Sequence, residues 1–170
     1  MTKAFGLTMR GIIKKDEKIL LLKRHPKSKN GPCQWELPGG KVERNEFFDE
    51  GLVREIKEET SLNVSVDSFC EAVQQDFPNR STVQVIMYLN LLDDCDVKIS
   101  DEHVDYTWAG ISEVKNLDIT SSLKKVLTKI KTNHICFIDC HKNNFPILYF
   151  HLEIWIRKKC ERLVESVVYQ

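Results

Sequence analysis

Three glutamates near the middle of the chain, Glu55, Glu58 and Glu59, have the residue type and spacing of a metal site. At about 100° per residue, a helix brings all three onto one face, within about a third of a turn. Carboxylates this close repel one another unless a cation lies among them. Their hard oxygens suit Mg²⁺ or Mn²⁺ rather than zinc. The spacing therefore indicates a divalent-cation site, with a solvated acidic face as the alternative.

Two neighbours of these glutamates favour the metal site. Gly51 lies on the same helical face, one turn before Glu55. Because glycine costs about 1 kcal/mol in a helix interior relative to alanine, we expect it to leave room for a ligand or for neighbouring backbone. Arg54 flanks the acids and can pair with Glu58 at i+4 or with Glu46, which would fix how the carboxylates point.

The helix that carries these residues is expected over residues 45–60. Asn45 is a good N-cap, because its side chain can accept a hydrogen bond from an amide of the first turn. Immediately upstream, a Trp-Glu-Leu-Pro-Gly-Gly run ends in Pro38, Gly39 and Gly40. These three residues predict a tight, exposed bend that aims backbone carbonyls and amides at the start of the helix.

Residues 40–62 resemble the Nudix box of the MutT-related hydrolases. That pattern is Gly, five residues, Glu, seven residues, Arg-Glu, an aliphatic, any residue, Glu-Glu, any residue, Gly, an aliphatic. The matching positions are Gly40, Glu46, Arg54, Glu55, Ile56, Glu58, Glu59 and Leu62. Ser61 stands where the box has glycine, so we expect a left-handed Ser61 at a cost of roughly 1–2 kcal/mol.

The resemblance implies both a fold and a reaction. The fold is the α/β Nudix fold, a mixed sheet between helices in an α/β/α sandwich. The reaction is hydrolysis of the pyrophosphate bond in a nucleoside diphosphate linked to another group, such as a nucleoside triphosphate or ADP-ribose. The alternative is a catalytically silent Nudix domain that binds a nucleotide as a sensor or regulator. Intact Arg54, Glu55, Glu58 and Glu59 favour the enzyme.

The resemblance assigns metal binding to the acids of the box. Glu55, Glu58 and Glu59 are the implied ligands, and the carbonyl of Gly40 completes the metal shell. Arg54 is implied as a further catalytic residue beside them. The implied cofactor is Mg²⁺, with Mn²⁺ able to substitute. Such ions neutralise a pyrophosphate and lower the pKa of an attacking water.

A general base is also required for this reaction. One of the box glutamates or an acid from a later loop can take the role. Glu102 is the candidate, because it lies just before the predicted strand ending near Trp108, where relatives often supply a further carboxylate. Asp101 and Asp105 are the alternatives.

Three residues around the bend are assigned to substrate binding. Arg24 ends a predicted strand, where a basic residue can meet a phosphate; a solvated strand end is the alternative. Trp35 and Leu37 lie just before the bend, and Trp35 could stack on a base or lie in the core. Pro78 lies about sixteen residues past the box, as a proline does in ADP-ribose hydrolases of the family. Because it also suits an ordinary hairpin turn, both substrate types remain open.

Charge and composition exclude several other classes of protein. The 170 residues include 25 basic and 25 acidic side chains, so there is no basic footprint for long nucleic acid and no polybasic membrane anchor. The first residues lack the apolar run of a signal peptide. The six cysteines are scattered without a Cys-x-x-Cys motif, which predicts reduced thiols in the cytoplasm. The spacing of His134, Cys136, Cys140 and His141 matches no established zinc pattern.

The remaining sequence predicts a strand-rich domain followed by an extension. Strands are expected over residues 5–14, 19–24, 34–37, 63–77, 81–92 and 104–109, a short helical turn capped by Ser112, and a helix from Ser121 or Ser122 to residue 131. We expect residues 1–131 to form the Nudix domain and residues 132–170 to form the extension.

The extension is predicted to hold an amphipathic helix from about Pro146 onward. Its apolar residues recur at helical spacing. The apolar stretch at 145–156 is too short to span a membrane and is interrupted by His151 and Glu153. The helix would pack on its own domain or, alternatively, contact a second copy, so monomer and homodimer both remain open.

Overall fold

The computed structural model describes the backbone of residues 4–140 and the side chains of residues 4–130. In chain order the elements are β1 (Ala4–Lys15), β2 (Lys18–Arg24), β3 (Trp35–Glu36), α1 (Phe48–Thr60), β4 (Val64–Asp76), β5 (Arg80–Leu91), β6 (His103–Gly110), α2 (Ile111–Val114) and α3 (Ser121–Cys140). Each predicted strand is present, with ends that differ by a residue or two. Tertiary contacts divide the chain into two units, Met1–Ile130 and Lys131–Gln170.

The strands form one mixed sheet in the order β3-β2-β1-β5-β4, with β6 paired to β2. β1 runs parallel to β5 along most of its length and joins β2 in an antiparallel hairpin at its end. The hairpin turn consists of Asp16 and Glu17, whose φ angles of 48° and 61° suit the right-handed twist of paired strands. The middle of β1 lies beside the bend that precedes α1.

The sheet lies between α1 and α3, which confirms the predicted α/β/α sandwich. Side chains alternate along β2: Ile19 and Leu21 pack in the cluster that contains Leu123 of α3. Leu20 and Leu22 pack in a second cluster, on the opposite face of the sheet, together with Leu52 and Ile56 of α1. This alternation follows from the period of two in a strand. It makes β2 apolar on both faces, as the sequence indicates.

The predicted N-cap of α1 is wrong. The helix begins at Phe48, its N-cap position is Phe47, and no side chain caps it. Asn45 lies three residues before the helix in a turn, with φ of 67°. Asparagine favours both helix caps and left-handed turns, and here the turn prevails because Glu46 is held outside the helix. The Glu46 carboxylate accepts hydrogen bonds from the amide of Glu43 at 3.0 Å and from Arg54.

The predicted end of α1 is confirmed. Ser61 adopts φ of 61° and ψ of 5°, and its amide donates to the carbonyl of Lys57 at 2.9 Å. The Lys57 ammonium in turn donates to the carbonyl of Ser61 at 3.0 Å. Ser61 therefore takes the left-handed position that glycine occupies in the box.

The predicted caps of the later helices are wrong by one or two residues. Gly110, rather than Ser112, is the N-cap of α2, and its amide donates to the carboxylate of Glu113 at 2.7 Å. In α3 the carbonyl of Thr120 accepts from the amide of Lys124 at 3.0 Å, so both predicted cap serines lie inside the helix. The helix also continues to Cys140, nine residues past the predicted end.

The predictions for the extension lie outside the described residues. His134, Cys136 and Cys140 fall in α3 beyond the described side chains, and the helix expected from Pro146 falls beyond the described backbone. Within the described part, none of the helices combines the length and apolarity that a membrane crossing needs.

Candidate active site

The bend at residues 37–40 is bound to β1 at each of its four carbonyls. The bonds are Arg10 guanidinium to Leu37 O at 3.0 Å, Gly11 N to Pro38 O at 2.9 Å, Arg10 guanidinium to Gly39 O, and Met9 N to Gly40 O at 2.8 Å. Two of the donors are backbone amides and the other two bonds come from one side chain. The bend is therefore held along its whole length, and β1 sets where it lies.

Gly39 joins this bend to α1. Its amide donates to Oε2 of Glu59 at 2.7 Å. Its φ of +122° is a conformation that side chains rarely adopt, and a Cβ there would lie 2.5 Å from the carbonyl oxygen of Met9. Glycine is required at this position by both conformation and space.

Gly40 lies against the carboxylate of Glu55. A Cβ at Gly40 would lie 2.2 Å from Glu55 Oε2, so only glycine leaves room for the acid. The Gly40 carbonyl accepts one hydrogen bond, from Met9, and a carbonyl oxygen has two lone pairs. Two of the three predicted metal ligands on α1, Glu55 and Glu59, are thus brought to the glycine bend.

Arg54 links the acids of the helix. It donates to Glu46 at 2.8 and 3.1 Å, to Glu55 at 3.0 Å and to Glu58 at 3.1 Å. Both predicted pairs are present, together with the neighbouring Glu55. The hydrogen bond that Arg54 donates to Glu46 is the largest cause that raises the pKa of Arg54, and the same bond lowers the pKa of the Glu46 carboxyl.

Gly51 makes room for the side chain of Glu46. The sequence had predicted that it would leave room for a ligand or for neighbouring backbone. A Cβ at Gly51 would lie 2.7 Å from Oε2 of Glu46 and 3.5 Å from a methyl group of Val42. The glycine therefore lets Glu46 reach across the start of the helix to Arg54. Its role is to support the orientation of Arg54.

The three glutamates differ in exposure. The side chain of Glu58 is 60% exposed and that of Glu55 is 21% exposed, whereas Glu59 is buried. Burial raises the pKa of Glu59 to about 7, against the opposing effects of Arg10 and of the Gly39 amide. Near neutral pH, Glu59 can therefore both release and accept a proton.

The acids fit a divalent cation in donor type, but their carboxylates do not meet at one point. Among the side chains the structure describes, no three Asp, Glu, His or Cys residues converge on one metal position. Instead, Glu55 and Glu58 pair with Arg54, and Glu59 accepts from Gly39. The donors are hard oxygens on one helical face beside a glycine carbonyl, which is the chemistry that Mg²⁺ selects. Ion binding would require the carboxylates of Glu55 and Glu58 to turn from Arg54.

The loop that holds Glu102 runs beside the end of α1. The amide of Ser100 donates to the carbonyl of Glu59 at 3.1 Å, and the carbonyl of Glu102 accepts from the amide of His25 at 3.0 Å. Asp101 lies in the same loop. Asp105 lies farther along, in β6 opposite Lys23. The loop position therefore favours Glu102 and Asp101 over Asp105 as acids near the helix.

The predicted substrate residues lie on the strands next to the bend. The Arg24 guanidinium bonds Oε1 of Glu36 at 2.5 Å, so this strand end is paired rather than simply solvated. Trp35 is half-buried, with the Lys23 ammonium 5.7 Å from its ring centre. Leu37 is buried in the core on the α3 side. A small open hollow adjoins it, lined by Arg10, Glu36, Leu37, Gln84, Ile86, Ser122, Leu123 and Val126.

Glu36 is the centre of a charged cluster that sequence reasoning missed. Its buried carboxylate lies 3.0 Å from Arg10, 2.5 Å from Arg24 and 3.5 Å from Nε2 of His103. Burial alone would raise the pKa of Glu36, but Arg10, His103 and Arg24 outweigh it and lower the pKa to about 2. One signal was present: Arg10 interrupts a strand of apolar residues, and a charge in such a strand needs a partner.

Comparisons with known proteins match most of the described domain. The family model described as the NUDIX domain matches residues 6–130. An ADP-ribose pyrophosphatase of Methanocaldococcus jannaschii is 55% identical over 60 residues, which are 34% of this chain and 33% of that protein. The match thus spans about a third of that relative's length.

Two further relatives match at greater coverage. The nucleoside triphosphatase NudI of Klebsiella pneumoniae is 31% identical over 108 residues, covering 58% of this chain and 77% of that protein. The solved structure of a MutT protein from Methanosarcina mazei aligns with a TM-score of 0.72 at 23% identity, covering 79% of this chain and 98% of that one. At that identity the structural match supports the fold alone.

Proposed function

The chain belongs to the Nudix family of hydrolases, and from this premise we propose that it cleaves the pyrophosphate bond of a nucleoside diphosphate linked to another group, with Mg²⁺ or Mn²⁺ as cofactor. One arrangement carries the proposal: Glu55 and Glu59 of α1 both lie against the glycine bend, one in contact with Gly40 and the other bonded to Gly39. An acidic face with no role beyond solvation would not need a buried Glu59.

The metal would be held by the carboxylates of Glu55, Glu58 and Glu59 and by the carbonyl of Gly40. When bound, the ion would neutralise the pyrophosphate and make a water more acidic. The protein's contribution is to hold the ligands in place. Arg54 keeps Glu55 and Glu58 paired on this face of the helix until an ion takes its place, and the Gly39 amide holds Glu59.

Two acids are candidates for the general base. Glu59 has a pKa of about 7, close to working pH, where a general base is most effective. Glu102 lies in the loop beside the end of α1, two residues after Ser100, whose amide binds the Glu59 carbonyl. If Glu59 is committed to the metal, Glu102 takes the role.

The nucleotide is proposed to lie along the side of the bend formed by β2 and β3. Arg24 would meet a phosphate, and Trp35 and Leu37 would lie near the nucleoside. The relatives named above are an ADP-ribose pyrophosphatase and a nucleoside triphosphatase, so both substrate types remain in the proposal.

We place the enzyme in the cytoplasm as a monomer or homodimer acting on small nucleotides. Cys33, Cys70 and Cys95, the cysteines with described side chains, are free thiols, which suits a reducing compartment.

A substrate panel tests the proposed function. The purified chain is incubated with ADP-ribose, the nucleoside triphosphates and 8-oxo-dGTP, with Mg²⁺, with Mn²⁺ and with a chelator. We expect cleavage of at least one nucleotide with either metal and none with chelator. Tight binding of a nucleotide without any cleavage would instead support a sensor.

A further inference from the structure

Arg10 is a largely buried cation in the strand next to the site. Its side chain is 11% exposed. The guanidinium donates to the carbonyl of Leu37 at 3.0 Å and to that of Gly39, and it pairs with Glu36 at 3.0 Å. A guanidinium is planar and carries five N–H donors in a fixed fork, so one side chain can hold three acceptors in a set geometry. Lysine has the same charge but lacks this geometry.

The contacts of Arg10 lead directly to the acids of α1. Gly39 is held on both sides of its backbone: its carbonyl accepts from Arg10 and its amide donates to Glu59. The next residue, Gly40, touches the carboxylate of Glu55. A shift of the Gly39 carbonyl would therefore alter the position of both acids.

We propose that Arg10 is a positioning residue, which fixes the 37–40 bend so that Gly39 and Gly40 keep Glu59 and Glu55, two of the proposed metal ligands, beside the bend. This inference rests on the proposed function and adds a residue outside the Nudix box. Glu36 anchors it, because Glu36 pairs with Nη2 of the guanidinium while Nη1 donates to the carbonyls of the bend. Arg10 itself touches neither the substrate nor the metal in this account.

The surrounding bonds indicate that the fold persists without Arg10. The bend keeps its two backbone bonds to β1, from Met9 and Gly11. Glu36 keeps its pairing with Arg24 and its contact with His103. The carbonyls of Leu37 and Gly39 and the Oε2 atom of Glu36 lose their donor. Loss of Arg10 should therefore loosen the bend without releasing it.

The experiment compares Arg10→Ala and Arg10→Lys with wild type. The matched control is Lys14→Met, four residues along β1, where the ammonium lies 5.0 Å from the centre of the Tyr88 ring and away from the bend. The readouts are Mn²⁺ affinity by calorimetry without nucleotide, kcat and KM for the cleaved nucleotide, and free energy of unfolding. Arg10→Ala is also assayed with millimolar guanidinium, with NaCl as the ionic-strength control.

We expect Arg10→Ala to lower Mn²⁺ affinity and kcat by about 10–100-fold, the range for residues that orient metal ligands. KM should change less, because the nucleotide does not touch Arg10. Guanidinium should restore part of the lost kcat in Arg10→Ala and have no such effect on Lys14→Met. The Mn²⁺ affinity and kcat of Arg10→Lys should lie between those of wild type and Arg10→Ala. This variant therefore still tests the inference if Arg10→Ala is poorly folded.

Two results would overturn the inference. One is Mn²⁺ affinity and kcat within about twofold of wild type in the folded Arg10→Ala variant. The other is a loss of Mn²⁺ affinity and kcat in Arg10→Ala that is fully explained by the unfolded fraction of that variant and that guanidinium does not reverse. If wild type cleaves no nucleotide, the proposed function fails by itself, and Mn²⁺ affinity still decides the role of Arg10.

Discussion

Gly39 donates its amide hydrogen to the buried carboxylate of Glu59 at 2.7 Å. This bond joins a bend that follows β3 to a helix that begins eight residues later. Burial raises the pKa of the Glu59 carboxyl to about 7, and the bond from Gly39 opposes that rise. Glu59, a proposed metal ligand, is thus held at the bend by a bond that favours its ionised form.

The first prediction concerns Gly40. Gly40→Ala should lower kcat by about 10–100-fold, because the new Cβ would lie 2.2 Å from Glu55 Oε2 and displace that carboxylate. Folding should change little, since the displaced group is the end of a flexible side chain. Gly6→Ala is the matched control: its Cβ would lie 3.5 Å from the nearest atom. Equal activity in the two variants would argue against Glu55 as a ligand beside the bend.

The second prediction concerns pH and Glu59. The folded-state pKa of about 7 lies above the ordinary value of 4.5, so the native state holds this proton more tightly than the unfolded state. In metal-free protein, Glu59 should therefore reduce stability as pH rises from about 4.5 to about 7. Glu59→Gln removes this effect and still offers an acceptor to the Gly39 amide.

Chemical denaturation in chelator at pH 5 and pH 8 measures the effect. Relative to wild type, Glu59→Gln should gain up to about 3 kcal/mol in free energy of unfolding between the two pH values. The same difference between variant and wild type at both pH values would show that Glu59 ionises normally.

The third prediction concerns Glu36, where the sign is opposite. Its folded-state pKa of about 2 lies below the ordinary 4.5, so its stabilisation is present above pH 4.5 and is lost as pH falls toward 2. Glu36→Gln leaves Arg10 and Arg24 without their shared anion. We expect it to cost about 3–5 kcal/mol at pH 7. Urea melts at pH 7 and pH 3 should show this cost shrinking in acid, and an equal cost at both would refute the pairing.

The fourth prediction concerns the end of α1. Ser61→Gly should raise the free energy of unfolding by up to about 1 kcal/mol, because glycine adopts φ of 61° without strain. Ser68→Gly is the control, since Ser68 lies in β4, where glycine costs about 0.5–1 kcal/mol. Thermal melts that rise for the first variant and fall for the second would match the account. A lower melting temperature for Ser61→Gly would contradict it.

The sequence predicted the parts of the site that lie close together along the chain. Helical spacing alone placed Arg54 beside Glu58, and the glycine position of the box identified Ser61 as left-handed. Asn45 was assigned wrongly because its type suits either a cap or a turn. The contacts that decide between them come from Arg54, nine residues away.

The ion pair between Arg10 and Glu36, which lies next to the bend, could not be predicted in this way. Arg10 and Glu36 are 26 positions apart, and they meet because β3 lies two strands from β1 in the sheet and the bend after β3 bonds to the middle of β1. No local pattern contains that pairing. Strand order and register create it, and these depend on the packing of the whole domain.

The most direct test of the central claim is turnover by Glu58→Gln and Glu59→Gln on the cleaved nucleotide at saturating Mg²⁺. Glu50→Gln, an exposed acid in the first turn of α1, is the control. We predict that both ligand variants fold and lose at least about 100-fold in kcat, whereas the control keeps it. Near-normal turnover in both ligand variants would contradict a metal site on this helix.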